Sequence, residues 1–389
     1  MRTIYLDNGA TSWPKAPTVA PAMSSFLAHH AVNIGRGGYD RAYETAGSIQ
    51  ECRDKLAVIF GATNSRNVLF SLNVTHALNT LIAGLFTPED HVLVSGMEHN
   101  AVMRPLTQLR IPYSIIPCDI DGLLRVDQIP SLIRPESKAI ILTQASNVTG
   151  TIQPVKLVSE IAHLHGLRLI VDAAQYPLSS TLSVAEDGID AIAFTGHKSL
   201  LGPQGVGGMV ISEELASLVR PWATGGTGSR SDVLEMPEFL PDKFEAGTQN
   251  LPGIVGLSAA LDYVQEHRLT IIENERIGTE LLLSYFTNDS RIRVVGPTSS
   301  GDRTSVVSVD FPEHDNAQIA YELFLDSGIE TRVGLHCAPT AHRSLGTFPK
   351  GTVRFSLGYA TTRQEINDTI DSCMRVLQRT EQGERRKTT

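Results

Sequence analysis

Cysteine is scarce in this sequence. Four of its 389 residues are cysteines, at positions 52, 118, 337 and 373. They are too few and too scattered for a disulfide framework, and none are spaced CxxC, which excludes a zinc ribbon or a thioredoxin-type redox pair, so no metal site is expected. The expected setting is a reducing, cytoplasmic compartment with free thiols. Long apolar runs are lacking as well: no stretch approaches the roughly 18 apolar residues of a membrane span. The first thirty residues hold no basic segment leading into an apolar one, and read instead Asp7-Asn8-Gly9 and Ser12-Trp13-Pro14-Lys15. The expectation is a soluble protein that is neither exported nor bound to membrane. Positive charge is in deficit, with 33 Lys and Arg against 42 Asp and Glu and a net charge of −9. That balance argues against nucleic acid or an anionic membrane as partner, because both need clustered positive charge. Internal repeats and low-complexity tracts are absent.

What is present is glycine, 32 residues of it, and many short apolar runs. Val68 to Phe70, His91 to Ser95, Ile140 to Thr143, Leu169 to Val171, Ala191 to Phe194 and Gly208 to Ile211 suit strands buried on both faces. Amphipathic stretches such as Thr75 to Leu85 and Pro154 to His165 lie between them. The alternation predicts an α/β fold with a mostly parallel central sheet covered by helices. Such sheets bind ligands at strand C-terminal ends. The pattern breaks into Gly, Pro and Ser-rich loop at 222–250. A long helix from Pro252 to Phe286 follows, then shorter α/β elements around Val294-Val295, Thr304 to Asp310, Asn316 to Asp326 and Thr352 to Leu357. The expected organisation is a large domain over 15–250 and a smaller α/β C-terminal domain formed by 1–14 and 251–380. The charged tail 381–389 is expected to fray.

The chemistry concentrates at strand ends. Thr195-Gly196-His197-Lys198 directly follows the Ala191 to Phe194 run. A lysine at the end of a buried strand must lose its charge, find a counter-charge, or form an imine with a carbonyl cofactor. A lone lysine there is most often a surface-loop residue, so its company decides. Asp172 ends the neighbouring run, where an acidic residue commonly just caps a turn. A pyridoxal phosphate site, however, needs such a carboxylate to keep the ring nitrogen protonated. Gln175 follows it and can donate to the ring's phenolic oxygen. Thr75 and His76 open a helix after the Val68 run, where N–H groups and a hydroxyl can cradle a phosphate, although Asn73 or Thr75 could equally serve as an N-cap. Thr195 and His197 can add phosphate donors. His99, after the His91 to Ser95 run, can lay its imidazole on a cofactor ring.

Several segments together carry a family resemblance. They are Tyr5-Leu6-Asp7-Asn8, Ser146-Asn147-Val148-Thr149-Gly150, Asp172-Ala173-Ala174-Gln175, Thr195-Gly196-His197-Lys198, Phe244-Glu245-Ala246-Gly247-Thr248, Gly334-Leu335-His336-Cys337-Ala338-Pro339 and Val353-Arg354-Phe355-Ser356. The chain resembles the cysteine desulfurases, in the class V aminotransferase group of fold-type I pyridoxal-phosphate enzymes, from residue 5 to about 360. The resemblance implies that Lys198 is the Schiff-base lysine, Asp172 the partner of the ring nitrogen and Gln175 the contact to the phenolic oxygen. It implies further that His99 stacks on the ring and that Thr75, His76, Thr195 and His197 line the phosphate. Thr248 would reach the other subunit's phosphate, which implies a homodimer with shared sites. Asn147 and Arg354 resemble the pair that holds the substrate's α-carboxylate. Cys337 matches the nucleophilic cysteine, with His336 and Arg332 near enough in sequence to favour a thiolate; Cys52, Cys118 and Cys373 are expected to pack.

The implied reaction turns L-cysteine into L-alanine and leaves the sulfur on Cys337 as a persulfide, for transfer to an acceptor that would include a sulfur-acceptor protein. Selenocysteine lyase, cysteine sulfinate desulfinase and other C–S lyases share the same scaffold, and a non-catalytic persulfide relay is a further alternative. The chain departs from the family at Asn33-Ile34-Gly35-Arg36-Gly37-Gly38-Tyr39, which lacks a histidine that some members carry. The stretch Ala341 to Pro349 after Cys337 also looks like a distinct subgroup. Gly202 to Gly208 is not a dinucleotide fingerprint, because it leads into a strand.

Overall fold

The computed structural model describes residues 3–301 and 303–387, with side chains described as far as residue 382. Among these residues the central feature is a seven-stranded sheet. Its spatial order is Val68–Ser71, Gly207–Ile211, Ala191–Thr195, Arg168–Asp172, Ser137–Thr143, His91–Ser95 and Tyr113–Ile116. Gly207–Ile211 runs antiparallel to both of its neighbours, and every other pairing is parallel. The interior strands are apolar on successive positions because each face meets a helical layer. Val92, Val94, Ile141, Ile170 and Ala193 pack toward helices Val74–Leu85 and Asn100–Gln108. Leu93, Ile140, Leu142, Leu169, Val171, Ile192 and Phe194 point the other way, toward Val155–Leu164 and the first half of the long helix Leu251–Asn288. Side chains alternate across the pleat, so one run of apolar residues feeds two cores.

A second sheet of four antiparallel strands has the order Arg332–Gly334, Thr352–Ser356, Val306–Asp310, Arg293–Val295. The N-terminal Ile4–Tyr5 pairs in parallel with Ile329–Glu330, and Leu6 joins the core of this smaller unit with Leu282, Phe286, Phe311 and Phe355. Residues 4–6 are thereby held beside Ile329–Glu330 and Phe355.

The apolar runs predict the interior strands closely, but the edge strand Tyr113–Ile116 escapes them. Tyr113 and Ile115 face solvent there, and a strand with a half-wet surface has no continuous apolar signature. Residues 222–250 form the irregular segment that their glycines and prolines predict. The last helix, Arg363–Lys387, continues past residue 381, where the sequence reading places fraying; residues 388–389 lie outside the described residues.

Candidate active site

The sheet register assembles one end of the site. Ser71 and Thr195 both pair with Gly207, so the loop that opens helix Val74–Leu85 lies beside the end of the strand preceding Lys198. Only glycine fits between them: a Cβ on Gly207 would lie 2.6 Å from the Phe194 carbonyl and 2.8 Å from Asn73 Cα. Asn73 caps the helix, its Oδ1 accepting from His76 N at 3.0 Å. Two buried polar atoms here have no partner among the described residues, Thr195 Oγ1 and His76 Nδ1. Orphaned buried groups are costly, and at a helix N-terminus they suit an anion such as a phosphate. The His76 ring meets Trp222 edge-on at 5.1 Å. Thr75 is exposed on the same turn.

The next group sits one and two strands further along. Asp172 is buried at its strand's end, opposite Thr143 on one side and Ala193 on the other, and its Oδ1 accepts from Ala174 N at 2.9 Å. Burial raises its pKa, while Lys198 pulls it down. Lys198 follows the adjacent strand, and burial lowers its ammonium to about 8 against the opposing pull of Asp172. His99 caps helix Asn100–Gln108 through Nδ1, which accepts from Ala101 N at 3.0 Å. Burial and then the Lys198 charge push His99 down to about 4, so its imidazole is neutral at physiological pH. Gln175 donates through Nε2 to the Gly9 carbonyl at 2.9 Å. The His197 Nδ1 lies 3.0 Å from Thr11 Oγ1, and its carbonyl accepts from Ser12 N at 2.9 Å and Lys15 Nζ at 2.8 Å. His197 is also neutral, at about 4, through burial and the charge of Lys198.

Glu98 is a neighbour whose role sequence reasoning leaves blank. It is fully buried; its Oε1 accepts from Ser95 Oγ at 2.6 Å and from Thr143 N at 2.8 Å, while Oε2 has no partner among the described residues. Burial, reinforced by the charge of Asp172, pushes it to about 8, so it is mostly protonated at neutral pH. The only sequence signal is an acidic residue directly before His99.

The smaller sheet supplies the remaining groups. Arg354, in Thr352–Ser356, is buried; its Nη1 donates to the Asn147 carbonyl at 3.0 Å and its Nη2 to Asp7 Oδ1 at 2.9 Å, while Nε has no partner among the described residues. Asn147 Nδ2 donates to the His336 carbonyl at 2.7 Å. Asn100 N donates to the Cys337 carbonyl at 2.8 Å. The backbones of His336 and Cys337 both take left-handed conformations, with φ of 49° and 58°, each disfavoured by about 1–2 kcal/mol for an L-residue. These hydrogen bonds hold that turn in place and leave the Cys337 thiol exposed. The other thiols differ: Cys52 and Cys373 are buried, Cys118 is half-buried, and burial raises each to about 12.

One expectation about the surroundings of Cys337 changes. His336 is buried with Nε2 2.9 Å from Thr352 Oγ1, and burial with nearby Arg354 holds it down to about 2. It is a neutral group that fixes the turn and offers no positive charge to a thiolate. Arg332 remains cationic but is engaged by Asp7.

Thr248 lies on an exposed turn, outside the single-chain cluster. Its segment is fastened by Glu245, whose carboxylate grips the Arg53 guanidinium and accepts from Phe70 N at 2.7 Å. A cavity of about 390 Å³ reaches Lys198 and Gln175 from the side of Leu178, Glu275 and Thr304, and its lining does not include Asp172, His99, Thr195 or Arg354. The residues fit pyridoxal phosphate: an anion cradle with unfilled donors lies at one end, and a buried carboxylate lies beside an amine at the other.

The model of the aminotransferase class-V family matches residues 4–368. A probable cysteine desulfurase of Methanothermobacter thermautotrophicus is 32% identical, covering 93% of this chain and 92% of that protein. One of Mycolicibacterium paratuberculosis is 33% identical over 96% of this chain, which spans only 55% of that longer relative. The apo structure of a cysteine desulfurase from Thermococcus onnurineus superposes with a TM-score of 0.87 at 28% identity, covering 95% of this chain and 93% of the other. The chain therefore belongs to the class V aminotransferases, and among these pyridoxal-phosphate-dependent enzymes to the cysteine desulfurase family.

Proposed function

We propose that the chain converts L-cysteine to L-alanine and carries the released sulfur as a persulfide on Cys337. The observation that carries the reading is the exposed Cys337 thiol on a turn that Asn147 fastens to the same arginine, Arg354, that is suited to a carboxylate. Thr195, His76, His197 and Thr75 would hold the cofactor's phosphate, Asp172 its ring nitrogen, Gln175 its phenolic oxygen and His99 its face. Bound pyridoxal phosphate supplies an aldehyde for the substrate's amine and a sink for the electron pair released at Cα.

The chain's own residues do the rest. Arg354 binds the substrate's α-carboxylate and so fixes the Cα–H bond relative to Lys198. Lys198 takes the Cα proton at Nζ, and its lowered pKa makes a neutral amine accessible near physiological pH. The thiolate of Cys337 attacks the substrate sulfur: an S–S bond forms, the Cβ–S bond breaks, and its electron pair stays with carbon. Protonation at Cβ gives the methyl group, and return of the proton from Lys198 Nζ to Cα completes alanine. Cys337 is left as Cys–S–SH, whose outer sulfur passes to a second thiol. The exposed turn suits a sulfur-acceptor protein as that thiol's carrier, and a persulfide carrier suits a reducing cytoplasm. Thr248, exposed in one chain, suits a homodimer in which each subunit completes the other's phosphate site.

Turnover tests this reading. With dithiothreitol, L-cysteine should yield alanine and sulfide in equal amounts over many cycles. A yield that stops at one equivalent per site would identify a relay and contradict the reaction.

A further inference from the structure

One cavity and one inward-facing carboxyl lie outside the machinery of the reaction. The cavity that reaches Lys198 has a volume of about 390 Å³, far above the ~30 Å³ that one water molecule occupies in the liquid. No residue assigned to the cofactor's phosphate, ring nitrogen or ring face lines it, and neither do Asn147, Arg354 or Cys337. Cofactor and substrate held by those residues therefore leave it open. One wall is the long helix, which presents Ile272, Glu275, Arg276 and Thr279 at the spacing of a single helical face. Thr304 and Ser305 stand on another wall, and Oγ1 of Thr304 is buried with no partner among the described residues. A cavity this roomy, with polar groups left unfilled on its wall, takes up water.

Among the described residues, the titratable or charged side chains on the wall are Tyr176, Lys198, Glu275, Arg276, Arg303 and Tyr359. Four of them are engaged elsewhere. Arg276 pairs outward with Glu273 and Glu280. Arg303 donates to the carbonyls of Thr149, Pro297 and Val306. The Tyr176 and Tyr359 hydroxyls donate to the carbonyls of Ser180 and Lys15. Glu275 differs: its Oε2 accepts only from Ser305 Oγ, at 3.3 Å, and no cation of the described residues neutralises it. Burial pushes its carboxyl up to about 7, close to the value of about 8 at Lys198, so near neutrality a proton can pass in either direction between the two. We propose that this cavity is the hydrated route by which Lys198 exchanges its proton with solvent, and that Glu275 is the proton carrier on that route. The ammonium formed when Lys198 takes the Cα proton releases a proton from Nζ to water in the cavity, the Glu275 carboxylate accepts it, and the carboxyl then passes it to solvent; the reverse sequence brings a solvent proton to Nζ. Glu275 touches no reacting atom and acts through Lys198. The inference rests on the assignment of Lys198 as the base at Cα.

The test follows exchange of the Cα hydrogen of L-alanine for deuterium in D2O by NMR, with the cofactor-loaded protein, a reaction that needs Lys198 but neither sulfur nor Cys337. Glu275→Gln keeps the side chain's shape and removes its titration; exchange should slow by at least about tenfold at neutral pH, while the affinity for L-alanine stays within about twofold of wild type. The gap should close below about pH 6, where the wild-type carboxyl is protonated as well. Ile272→Phe fills part of the cavity, leaves the carboxyl in place and should also slow exchange, by at least about threefold. It decides the matter if Glu275→Gln fails to fold. In the cofactor-free protein, the infrared difference between wild type and Glu275→Gln should show a carboxylic acid band that converts to carboxylate near pH 7; conversion complete by about pH 5 would overturn the proposal. Exchange within about twofold of wild type in Glu275→Gln, or in Ile272→Phe if the other does not fold, would overturn it too, as would a slowing that is the same at every pH, the mark of a merely structural role. If Glu275→Gln slows exchange but wild type releases no alanine from L-cysteine, the proton route stands and the proposed reaction falls. If wild type turns over L-cysteine and exchange is alike in all three proteins, the route alone falls.

Discussion

Burial at this site changes which groups are charged, and the consequences are measurable one residue at a time. His99 and His197 are pushed to about 4, so folding favours their neutral forms. Their contribution to stability is complete above the ordinary histidine value of 6.5 and is lost as pH falls toward 4. Glu98 has the opposite sign. Its folded value of about 8 lies above the ordinary 4.5, so its contribution is complete below pH 4.5 and is lost as pH rises through 8. Replacing Glu98 with Gln removes that alkaline loss. Thermal melts across pH should show the Glu98→Gln protein gaining on wild type between pH 5 and 8.5 by about 2 °C or more. A pH-independent difference would mean that Glu98 is not the protonated group described. Asn147 makes a different residue-scale prediction. Its amide holds the His336 carbonyl and its own carbonyl holds Arg354. Asn147→Ala should lower kcat/KM for L-cysteine by about a hundredfold while the cofactor's absorption band persists. Retention of near-wild-type kcat/KM would contradict the positioning role.

The elements set how far such residues can be read in advance. Lys198 and Asp172 stand at the ends of strands buried on both faces, and that burial writes a continuous apolar run just before each of them. Asp7 and Glu98 carry no such mark. Asp7 matters because the Ile4–Tyr5 strand brings it across to Arg332 and Arg354, far away in the chain. Glu98 matters because its carboxyl reaches Thr143 on the next strand. His336 misleads at the sequence level for the same reason, since only the fold reveals that its ring turns inward to Thr352. The element that carries Thr248 makes a stability prediction. The Arg53 and Glu245 side chains are 7% and 8% exposed, and breaking a buried pair by removing one partner costs about 3–5 kcal/mol. Glu245→Ala should therefore lower the melting temperature by several degrees. Arg53→Met combined with Glu245→Met should recover much of that loss, because paired apolar replacements leave no buried charge. Equal losses in the single and double variants would show that the ion pair is not what fastens the segment.

At the scale of the whole molecule, one chain holds most of the site but leaves Thr248 facing outward. The irregular segment around it also exposes Trp222, Leu234 and Phe239. In the proposed homodimer a second copy of the chain would cover this surface, with Thr248 completing the partner's phosphate site. Light scattering on the purified protein should give twice the chain mass, and Thr248→Ala should weaken cofactor retention without changing that mass. A monomer that retains full activity would contradict the shared site.

The central claim is that Cys337 takes the sulfur that Lys198 and its surroundings make labile. Its most direct test is the rate of alanine release from L-cysteine, with dithiothreitol present, for wild type, Lys198→Ala and Cys337→Ala. The account predicts sustained turnover by wild type and loss of at least about a hundredfold in each variant, with Cys337→Ala still binding the cofactor. Full activity on L-cysteine in Cys337→Ala would contradict it.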